Sequence, residues 1–596
     1  GGPGVNVHRV ARGGRNAEYI SGEAPYLGAR LAVPYIHGVQ SKGVLAVVKH
    51  FIVNDQETNR NSVNSIVDAR SLWEVYYPPF QAAVDAGVSA VMCSYNVVNG
   101  KHACGNPDVL LTDLKETMGF KGWVQSDWWA LHSFAAPQGV DQEMPGIRGH
   151  DGKAYFSAGN LDFLPGAKID DMVGRQLKMM LRHGLFEAAN RVCQPPHCHE
   201  ELYDRVATSQ KHAELSAELA TKSVLLLKNT GILPFGARVK KIALLGSACN
   251  APADVRQQLR KFDVGSYYNL GGSGRVIASD PVTIYSGLSE ACKKHRCELV
   301  TEFSDNVDVA IAKGRGADVA VICGGTTSTE MQDRPNLSVD QEQFIVAVSK
   351  GISTAAKKTP VVTLTMTPGS VVMPWLKYTD AVLNIFLAGK YTGTAFASVL
   401  FGKTNPSAKS PVTFPITEFG TVFPCKETDC HYKEGLFVGW TAFEGKPVNF
   451  PFGHGLSFTT FGYSELIVSI FKHKWKQCEG ASVCVYALVK NTGKVKGVEV
   501  AQLYLGIPDA GEPLKLLRGF ERLPELEPGH VAAVVFPLHA RDLQVYDALK
   551  KTWHAADGLY RVYVGSSSRD VRLADKFVLC GGDPAGTMQH KLNCKL

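Results

Sequence analysis

Lys121-Gly-Trp-Val-Gln-Ser-Asp-Trp-Trp-Ala-Leu-His132 runs from an apolar, strand-like segment directly into a carboxylate flanked by two indoles. Asp127 is thereby delivered at a strand end beside Trp128 and Trp129. Aromatic faces contact the C–H side of a pyranose while an acid meets its hydroxyl or anomeric side, so this arrangement suits a sugar. The competing reading of the same residue is a carboxylate that caps the next helix. The rest of the chain decides between the two.

Around this stretch, short apolar runs at residues 43–48, 90–94 and 122–126 alternate with helical patterns at 72–86 and 108–117. Such alternation predicts βα units with a parallel sheet. Polar and aromatic residues follow each run: Lys49-His50, Tyr95-Asn96 and Asp127-Trp128. In a (β/α)₈ barrel the strand C-termini share one face and carry the active site. Five or six strands can be found before a helix at 168–184, whereas a closed barrel of this kind needs eight, so an N-terminal portion is expected to be missing.

A Pro/His/Cys-rich connector at about 192–204 precedes a second α/β pattern. It has a helix at 210–223, strands at 224–227, 241–246, 317–323, 360–366 and 381–386, and helices at 340–350 and 394–401. This predicts an open sheet covered on both faces. Gly271-Gly-Ser-Gly-Arg275 resembles a phosphate cradle but lacks the G-x-G-x-x-G spacing and a P-loop Lys-Ser/Thr, and reads as a tight loop. From about Phe461 the helical period gives way to short strands at 483–489, 498–505, 531–537 and 558–564, with turns at Asn491-Thr-Gly493 and Glu527-Pro-Gly529. A β-sandwich of roughly 110 residues is expected there, without groups placed for chemistry.

Bulk properties narrow the function classes. The 596 residues are 45% hydrophobic and 20% charged, and the net charge of +7 is dispersed without a basic block, which argues against a nucleic-acid partner. No run reaches the roughly 18 apolar residues of a membrane span, and the Gly1-Gly2-Pro3-Gly4 start has neither the basic nor the apolar segment of a signal peptide. Of fourteen cysteines, Cys193/Cys198, Cys292/Cys297, Cys425/Cys430 and Cys478/Cys484 lie in close pairs, which predicts disulfides and an oxidising compartment. The run ending at His199 reads as a disulfide loop in preference to a zinc site. Cys249 and Cys323 are expected to be buried thiols, and Cys580 and Cys594 to tie down a loose tail. Asn336-Leu-Ser338 is a glycosylation sequon.

Several longer runs then stand together in fixed order: GPGVNVHRVARGGRNAEYISGEAPYLG (2–28), KHFIVNDQETNR (49–60), VMCSYNVVNGKHACGNPDVLLTDL (91–114), GFKGWVQSDWWALHS (119–133), IDDMVGRQLKMMLRHGLF (169–186), LLLKNTGILPF (225–235), FPFGHGLSFTTFGYSEL (450–466) and VGSSSRDVRL (564–573). On these the chain resembles the family 3 glycoside hydrolases, in particular their β-glucosidases. The resemblance implies a multidomain α/β plus β fold. We expect a partial (β/α)₈-type barrel over 1–190, a linker over 191–208, an α/β sandwich over 209–460, a fibronectin-type-III-like β-sandwich over 461–575 and a tail over 576–596.

The resemblance also implies roles. The family's nucleophile falls on Asp127. Its acid/base falls on Glu330, because Ser328-Thr-Glu-Met-Gln-Asp-Arg334 occupies the place of the family's E-x-E-G-x-D-R-like loop, with Asp333 the next candidate. A retaining pair needs its carboxyl groups about 5–5.5 Å apart. Burial is expected to keep Glu330 protonated, while Asp127 stays ionised near Lys49 and His50. Ser328 and Met331 depart from the pattern; Met does not take positive φ without strain, so a differently shaped loop is expected. An exposed loop glutamate is the competing reading of Glu330. Lys49, His50 and Arg15 are expected to bind sugar hydroxyls, Tyr95 to orient the nucleophile, and Met92 and Trp128 to wall the sugar, with Glu57 and Arg60 a supporting ion pair.

The function so implied is a retaining, exo-acting β-glucosidase of β-glucosides or β-gluco-oligosaccharides, secreted, using no metal or organic cofactor. A β-xylosidase is the nearest rival, and KHFIVNDQETNR argues against it and against the N-acetylglucosaminidase branch. A non-catalytic carbohydrate-binding relative is the alternative of a different class, and a nucleotide-dependent enzyme rests on GGSGR alone. In relatives an aspartate gripping the distal hydroxyls precedes anything present here. The sequence is therefore expected to be a fragment, poorly stable or inactive as residues 1–596 alone.

Overall fold

Parallel pairing joins three strands of the N-terminal region, Val47–Phe51, Ala90–Cys93 and Trp123–Ser126, in that order. The backbone of residues 2–5 continues the sheet beyond the first strand, with Val47 N–H donating to Gly2 O, Lys49 N–H to Pro3 O and Val5 N–H to Lys49 O, each at 3.0 Å. On the far side Asp141 N–H donates to Val124 O at 2.8 Å and Ser126 N–H to Gln142 O at 3.0 Å. The second and third strands are buried throughout, as parallel strands covered on both faces are. This computed structural model describes residues 1–146, 154–187, 206–355, 358–470, 475–509 and 511–580. The Cys193/Cys198 pair, the zinc alternative with His199, and Cys594 lie outside the described residues; Cys580 is disulfide-bonded.

The first strand starts later than predicted. Residues 41–43 turn, with Gly43 at φ 70°, and pairing to residues 2–5 extends to Lys49, so Lys49 and His50 lie inside Val47–Phe51 and not after it. The predicted helix at 72–86 is three pieces, Ala69–Ser71, a π-helical turn Leu72–Tyr76, and Pro78–Asp85. Pro78 and Pro79 supply no N–H to continue the earlier ladder, and their fixed φ suits a new first turn. Asp68 caps the first piece, accepting from Ser71 N–H at 2.9 Å. Helix Gly166–Arg182 packs Met179 on Ala90 and Trp123, and its Arg175 donates to the Phe120 and Gly122 carbonyls at 3.1 Å.

The chain forms two compact units, Gly1–Gly13 with Glu18–Ser209 and Phe423–Val438, and Gly14–Ala17 with Gln210–Val422 and Gly439–Leu596. In the second, six strands lie in the order Leu225–Asn229, Ala381–Ile385, Val361–Met366, Val319–Gly325, Lys241–Leu245, Glu298–Glu302. All neighbours are parallel except Leu225–Asn229, which pairs antiparallel. Alternate residues enter opposite cores. Leu226, Leu244, Val321 and Leu364 pack with Leu288, Phe396 and Leu400 of helices Ile284–His295 and Thr392–Leu400. Leu225, Leu245 and Ile322 pack with Ala310, Ile345 and Val348 of helices Val307–Arg315 and Glu342–Ser353. The period of two in each strand thus builds a sheet with helices on both sides.

The C-terminal strands form two antiparallel sheets, Phe461–Ile470, Val483–Asn491, Val531–Leu538 and Leu516–Arg522, Val500–Gly506, Gly558–Gly565, Val571–Leu579, around one apolar core. Of the strands in these two sheets, the sequence reading misses Phe461–Ile470, Leu516–Arg522 and Val571–Leu579, all sheet edges; it also misses the separate antiparallel pair Gln544–Asp547 and Thr552–Ala555. The charged residues of the sheet edges, such as Arg518, Glu521, Arg572 and Lys576, blur the apolar alternation while protecting the edge from pairing.

Cysteine pairing follows the prediction at Cys292–Cys297 and Cys478–Cys484 and departs from it elsewhere. Cys249 and Cys323 are not thiols but a disulfide. Val319–Gly325 runs beside Lys241–Leu245 with Ile322 opposite Leu245, which brings Cys323 to the turn Ser247–Asn250 and leaves the two Cα atoms 5.1 Å apart. Cys93–Cys104 is a further disulfide not anticipated. Cys425 and Cys430 are free. The amide and carbonyl of Cys425 are held by the Gln56 side chain at 2.8 Å, and Cys430 sits in strand Asp429–His431 opposite Ser65; the two thiols are hydrogen-bonded to each other without an S–S bond.

Two buried charge clusters brace the first unit. Lys115 donates to both oxygens of Asp141, at 2.7 and 2.8 Å, and Asp141 also accepts from Val124 N–H at 2.8 Å, tying the helical segment Asp108–Thr117 to the strand that leads to Asp127. Burial lowers Lys115 to about 8 against the pull of Asp141. In the second cluster the Arg9 guanidinium bonds Glu434 and lies 3.6 Å from the centroid of the Tyr432 ring, and the Tyr432 hydroxyl donates to Asp55 at 3.0 Å. Burial pushes Asp55 up to about 7, opposed by Arg9 and Tyr432.

Replacing Lys115 by Met leaves Asp141 buried without its counter-ion and is expected to cost about 3–5 kcal/mol, read as a lowered thermal midpoint; Lys115→Met with Asp141→Leu should cost less than the single change. Asp55 gives a pH signature. Below its ordinary value of 3.8 both folded and unfolded chains hold the proton. As pH rises toward about 7 the unfolded chain loses the proton first, and the stability contributed by folded, protonated Asp55 is lost. The thermal midpoint of the protein relative to that of its Asp55→Asn variant should therefore fall from pH 4 to pH 7 and level off above.

Candidate active site

Asp127 follows strand Trp123–Ser126 directly and is buried, with 7% of its surface exposed. Its Oδ1 accepts from the Tyr95 hydroxyl at 2.9 Å and from the Trp128 N–H at 2.7 Å, and its Oδ2 faces His50 Nε2 at 3.4 Å. Its own N–H donates to Cys93 O at 3.2 Å, the last ladder bond to the neighbouring strand. A carboxylate out of water needs such donors, and a hydrogen-bonded acid is held in one orientation.

The residues that hold Asp127 are held in turn. The Nδ1 of His50 lies 3.1 Å from the Tyr19 hydroxyl, and the His50 backbone exchanges two bonds with the Asn6 side chain, N–H to Oδ1 at 2.8 Å and Nδ2 to O at 3.1 Å. The Arg60 guanidinium lies 4.2 Å from the centroid of the Tyr95 ring and pairs with Glu57 at 2.8 Å, as the sequence predicts for Glu57 and Arg60. Lys49 is buried and its ammonium meets Glu18 at 2.5 Å. Met92 is buried in strand Ala90–Cys93, opposite Gln125. Trp128 and Trp129 are 40% and 45% exposed, offering ring surface beside a buried acid. Asn6, Glu18 and Tyr19 escape sequence reasoning because their partners are distant in the chain; their only signal is their place in the run 2–28.

The second unit carries Glu330 and Arg15. Glu330 is 4% exposed, so it is no exposed loop glutamate. Its Oε1 lies 3.3 Å from Arg15 Nη1, its Oε2 accepts from Ser273 N–H at 2.8 Å, and Arg15 Nη2 donates to Ser273 Oγ at 3.2 Å. The GGSGR loop that reads as a failed phosphate cradle is thus the cradle of a carboxylate. Gly272 has φ 100°, and a Cβ there would lie 2.3 Å from Glu330 Cβ, so only glycine lets the loop approach. Gly14 N–H donates to Asp333 Oδ1 at 3.1 Å, and the Arg334 guanidinium donates to Ser370 O at 2.8 Å.

Met331 corrects an expectation. It takes φ 74°, in the left-handed region that favours glycine, although it carries a Cβ. A short antiparallel bridge joins Thr329 and Gln332 across the turn, and the Met331 side chain is 61% exposed. Among the described residues no three His, Cys, Asp or Glu side chains gather as a metal ion would require, and no helix is long and apolar enough to cross a membrane.

Comparison with known proteins agrees with this organisation. Residues 2–145 match the glycosyl hydrolase family 3 N-terminal domain, 224–458 the family 3 C-terminal domain and 499–568 the fibronectin type III-like domain. The thermostable beta-glucosidase B of Acetivibrio thermocellus is 33% identical over 600 residues, covering 96% of this chain and 74% of that protein. The probable beta-glucosidase L of Aspergillus terreus is 32% identical over 628 residues, covering 96% and 82%. Among solved structures, the beta-D-glucoside glucohydrolase of Trichoderma reesei superposes with a TM-score of 0.87 at 29% identity, covering 97% of this chain and 85% of that one. Beta-glucosidase 3B of Thermotoga neapolitana, in complex with glucose, gives 0.83 at 29% identity, covering 98% and 83%. A similarity that runs through both family domains and nearly the whole chain makes this protein an O-glycosyl hydrolase of glycosyl hydrolase family 3.

Proposed function

We propose that the protein is a retaining, exo-acting β-glucosidase that releases terminal β-linked glucose from β-glucosides or β-gluco-oligosaccharides by double displacement. The observation that carries this reading is the hold on Asp127, a buried carboxylate fixed by Tyr95, the Trp128 N–H and His50. In this reading Asp127 attacks the anomeric carbon as Glu330 protonates the departing oxygen. The covalent glycosyl ester on Asp127 is then cleaved by a water molecule from which Glu330 takes a proton. Tyr95 on Oδ1 and His50 on Oδ2 hold the Asp127 carboxylate in one orientation, which is where orientation lowers the barrier. Lys49, His50 and Arg15 bind sugar hydroxyls, and Met92 and Trp128 wall the ring. The names of the relatives, beta-glucosidases of bacteria and fungi, support the choice of glucose. Four disulfides among the described residues support maturation in an oxidising, extracellular route.

The protein, produced from its complete reading frame, should be labelled by a 2-fluoro-β-glucoside with an activated leaving group, and the adduct should map to Asp127 by peptide mass. Asp127→Asn should abolish both labelling and turnover. Glu330→Gln should lower kcat/KM by about 10²- to 10⁴-fold on a poor leaving group and much less on an activated aryl glucoside, whose kcat is then limited by the slow second step. Azide should restore turnover in that variant as β-glucosyl azide. An adduct elsewhere, or an aryl β-xyloside turned over with the higher kcat/KM, would overturn the assignment or the sugar respectively.

A further inference from the structure

In the first unit two imidazoles lie face to face. The rings of His102 and His132 are 3.6 Å apart between centroids and 12° from parallel. His102 ends the hairpin that begins at Tyr95: Val97 pairs with His102 and Val98 with Lys101, and Ala103 N–H donates to Asn96 O at 2.9 Å. The Cys93–Cys104 disulfide closes the base of this hairpin, and the Tyr95 backbone is hydrogen-bonded to the His102 ring. His132 lies in the same run as Asp127, Trp128 and Trp129. One imidazole therefore belongs to the segment that reaches Oδ1 of Asp127 through the Tyr95 hydroxyl, and the other to the segment that reaches it through the Trp128 N–H.

We propose that His102 and His132 are a pair of positioning residues whose stacking sets Tyr95 and the Trp128–Trp129 segment for sugar binding, and whose double protonation releases them. The inference rests on the reading of Asp127 as nucleophile. The pair has room for one proton. Charges on both rings would stand 3.6 Å apart, with His102 half-buried. His102 Nδ1 is buried without a hydrogen-bond partner among the described residues, and the cation next to it on its own strand, Lys101, is held by Asp108 at 2.7 Å. Burial first, and then the facing His132, lower His102 below its ordinary value of 6.5, against the bond to the Tyr95 backbone. The stack is therefore whole at neutral pH and opens as the solution is acidified past that lowered value.

The test uses the protein from its complete reading frame with His132→Phe, which keeps a ring but not the proton, and His132→Ala, which removes the stack. His132→Phe should hold KM for an aryl β-glucoside within about twofold at pH 7 and move the acid limb of kcat/KM to lower pH. His132→Ala should raise KM several-fold at pH 7 with kcat changed less than about twofold. A second measurement needs no substrate: with ¹³Cε1-labelled histidine, the His102 resonance, assigned from its loss in His102→Gln, should titrate below 6.5 in the parent and move upward in His132→Phe. Those shifts without any hydrolysis would sink the glucosidase reading and keep the pair. Normal hydrolysis, with a His102 titration or an acid limb indifferent to residue 132, would sink the pair.

Discussion

A carboxylate taken out of water must be surrounded by donors, and the first unit is built around meeting that demand at Asp127. Moving such a group from water to a poorly polar interior costs several kcal/mol unless hydrogen bonds replace its hydration. Here the donors come from three separate segments: the Tyr95 hydroxyl, the Trp128 amide, and the His50 imidazole. They converge only because Val47–Phe51, Ala90–Cys93 and Trp123–Ser126 are parallel neighbours that end together. Register is then a chemical matter. A slip of one residue in either ladder would turn Asp127 or His50 to the opposite face and leave a charge buried alone. The Lys115–Asp141 pair, bonded to the Val124 amide, fixes the last strand of the three from below.

The second unit meets the same demand with different means. Glu330 is held by one guanidinium and one backbone amide, and the amide can approach only because Gly272 has no side chain. Arg15 is shared between the carboxylate and the Ser273 hydroxyl, so its planar fork is occupied on two sides and its rotamer is fixed.

What could be read from the sequence follows the range of the forces involved. The sheet of the second unit is legible because burial on both faces makes its strands near-continuous apolar runs. Asp127 is legible because strand, acid and indoles are adjacent in the chain. The edge strands of the β-sandwich are obscured by the charges that protect them, and the split of the 72–86 helix is a local proline effect outweighed in the reading by a strong apolar period. Lys49 and His50 are displaced into their strand by pairing with residues 2–5, a contact no local pattern announces. Cys249 and Cys323 look like isolated core thiols because the strand register that joins them spans 74 residues. Glu330 is singled out only by the family resemblance, and its cradle is not legible at all, since GGSGR carries the glycine content of an anion site without the spacing of a nucleotide loop.

Met331 shows how far such a site can depart from its pattern. A residue with a Cβ in the left-handed region costs roughly 1–2 kcal/mol relative to right-handed backbone. The loop bears that cost because its path is set from both sides: Thr329 bridges Gln332 and Gly271 within it, and Asp333 accepts from the Gly14 amide. A Cβ on Gly14 would lie 2.1 Å from Gln332 O and 2.3 Å from Thr329 O, so the segment bearing Arg15 presses directly on the turn. With its neighbours over-determined, the turn keeps its φ whatever side chain stands at 331, provided that the side chain points to solvent, as Met331 does. The glycine of the pattern is therefore a preference of the isolated turn, whereas the position of Glu330 depends on the packing around it.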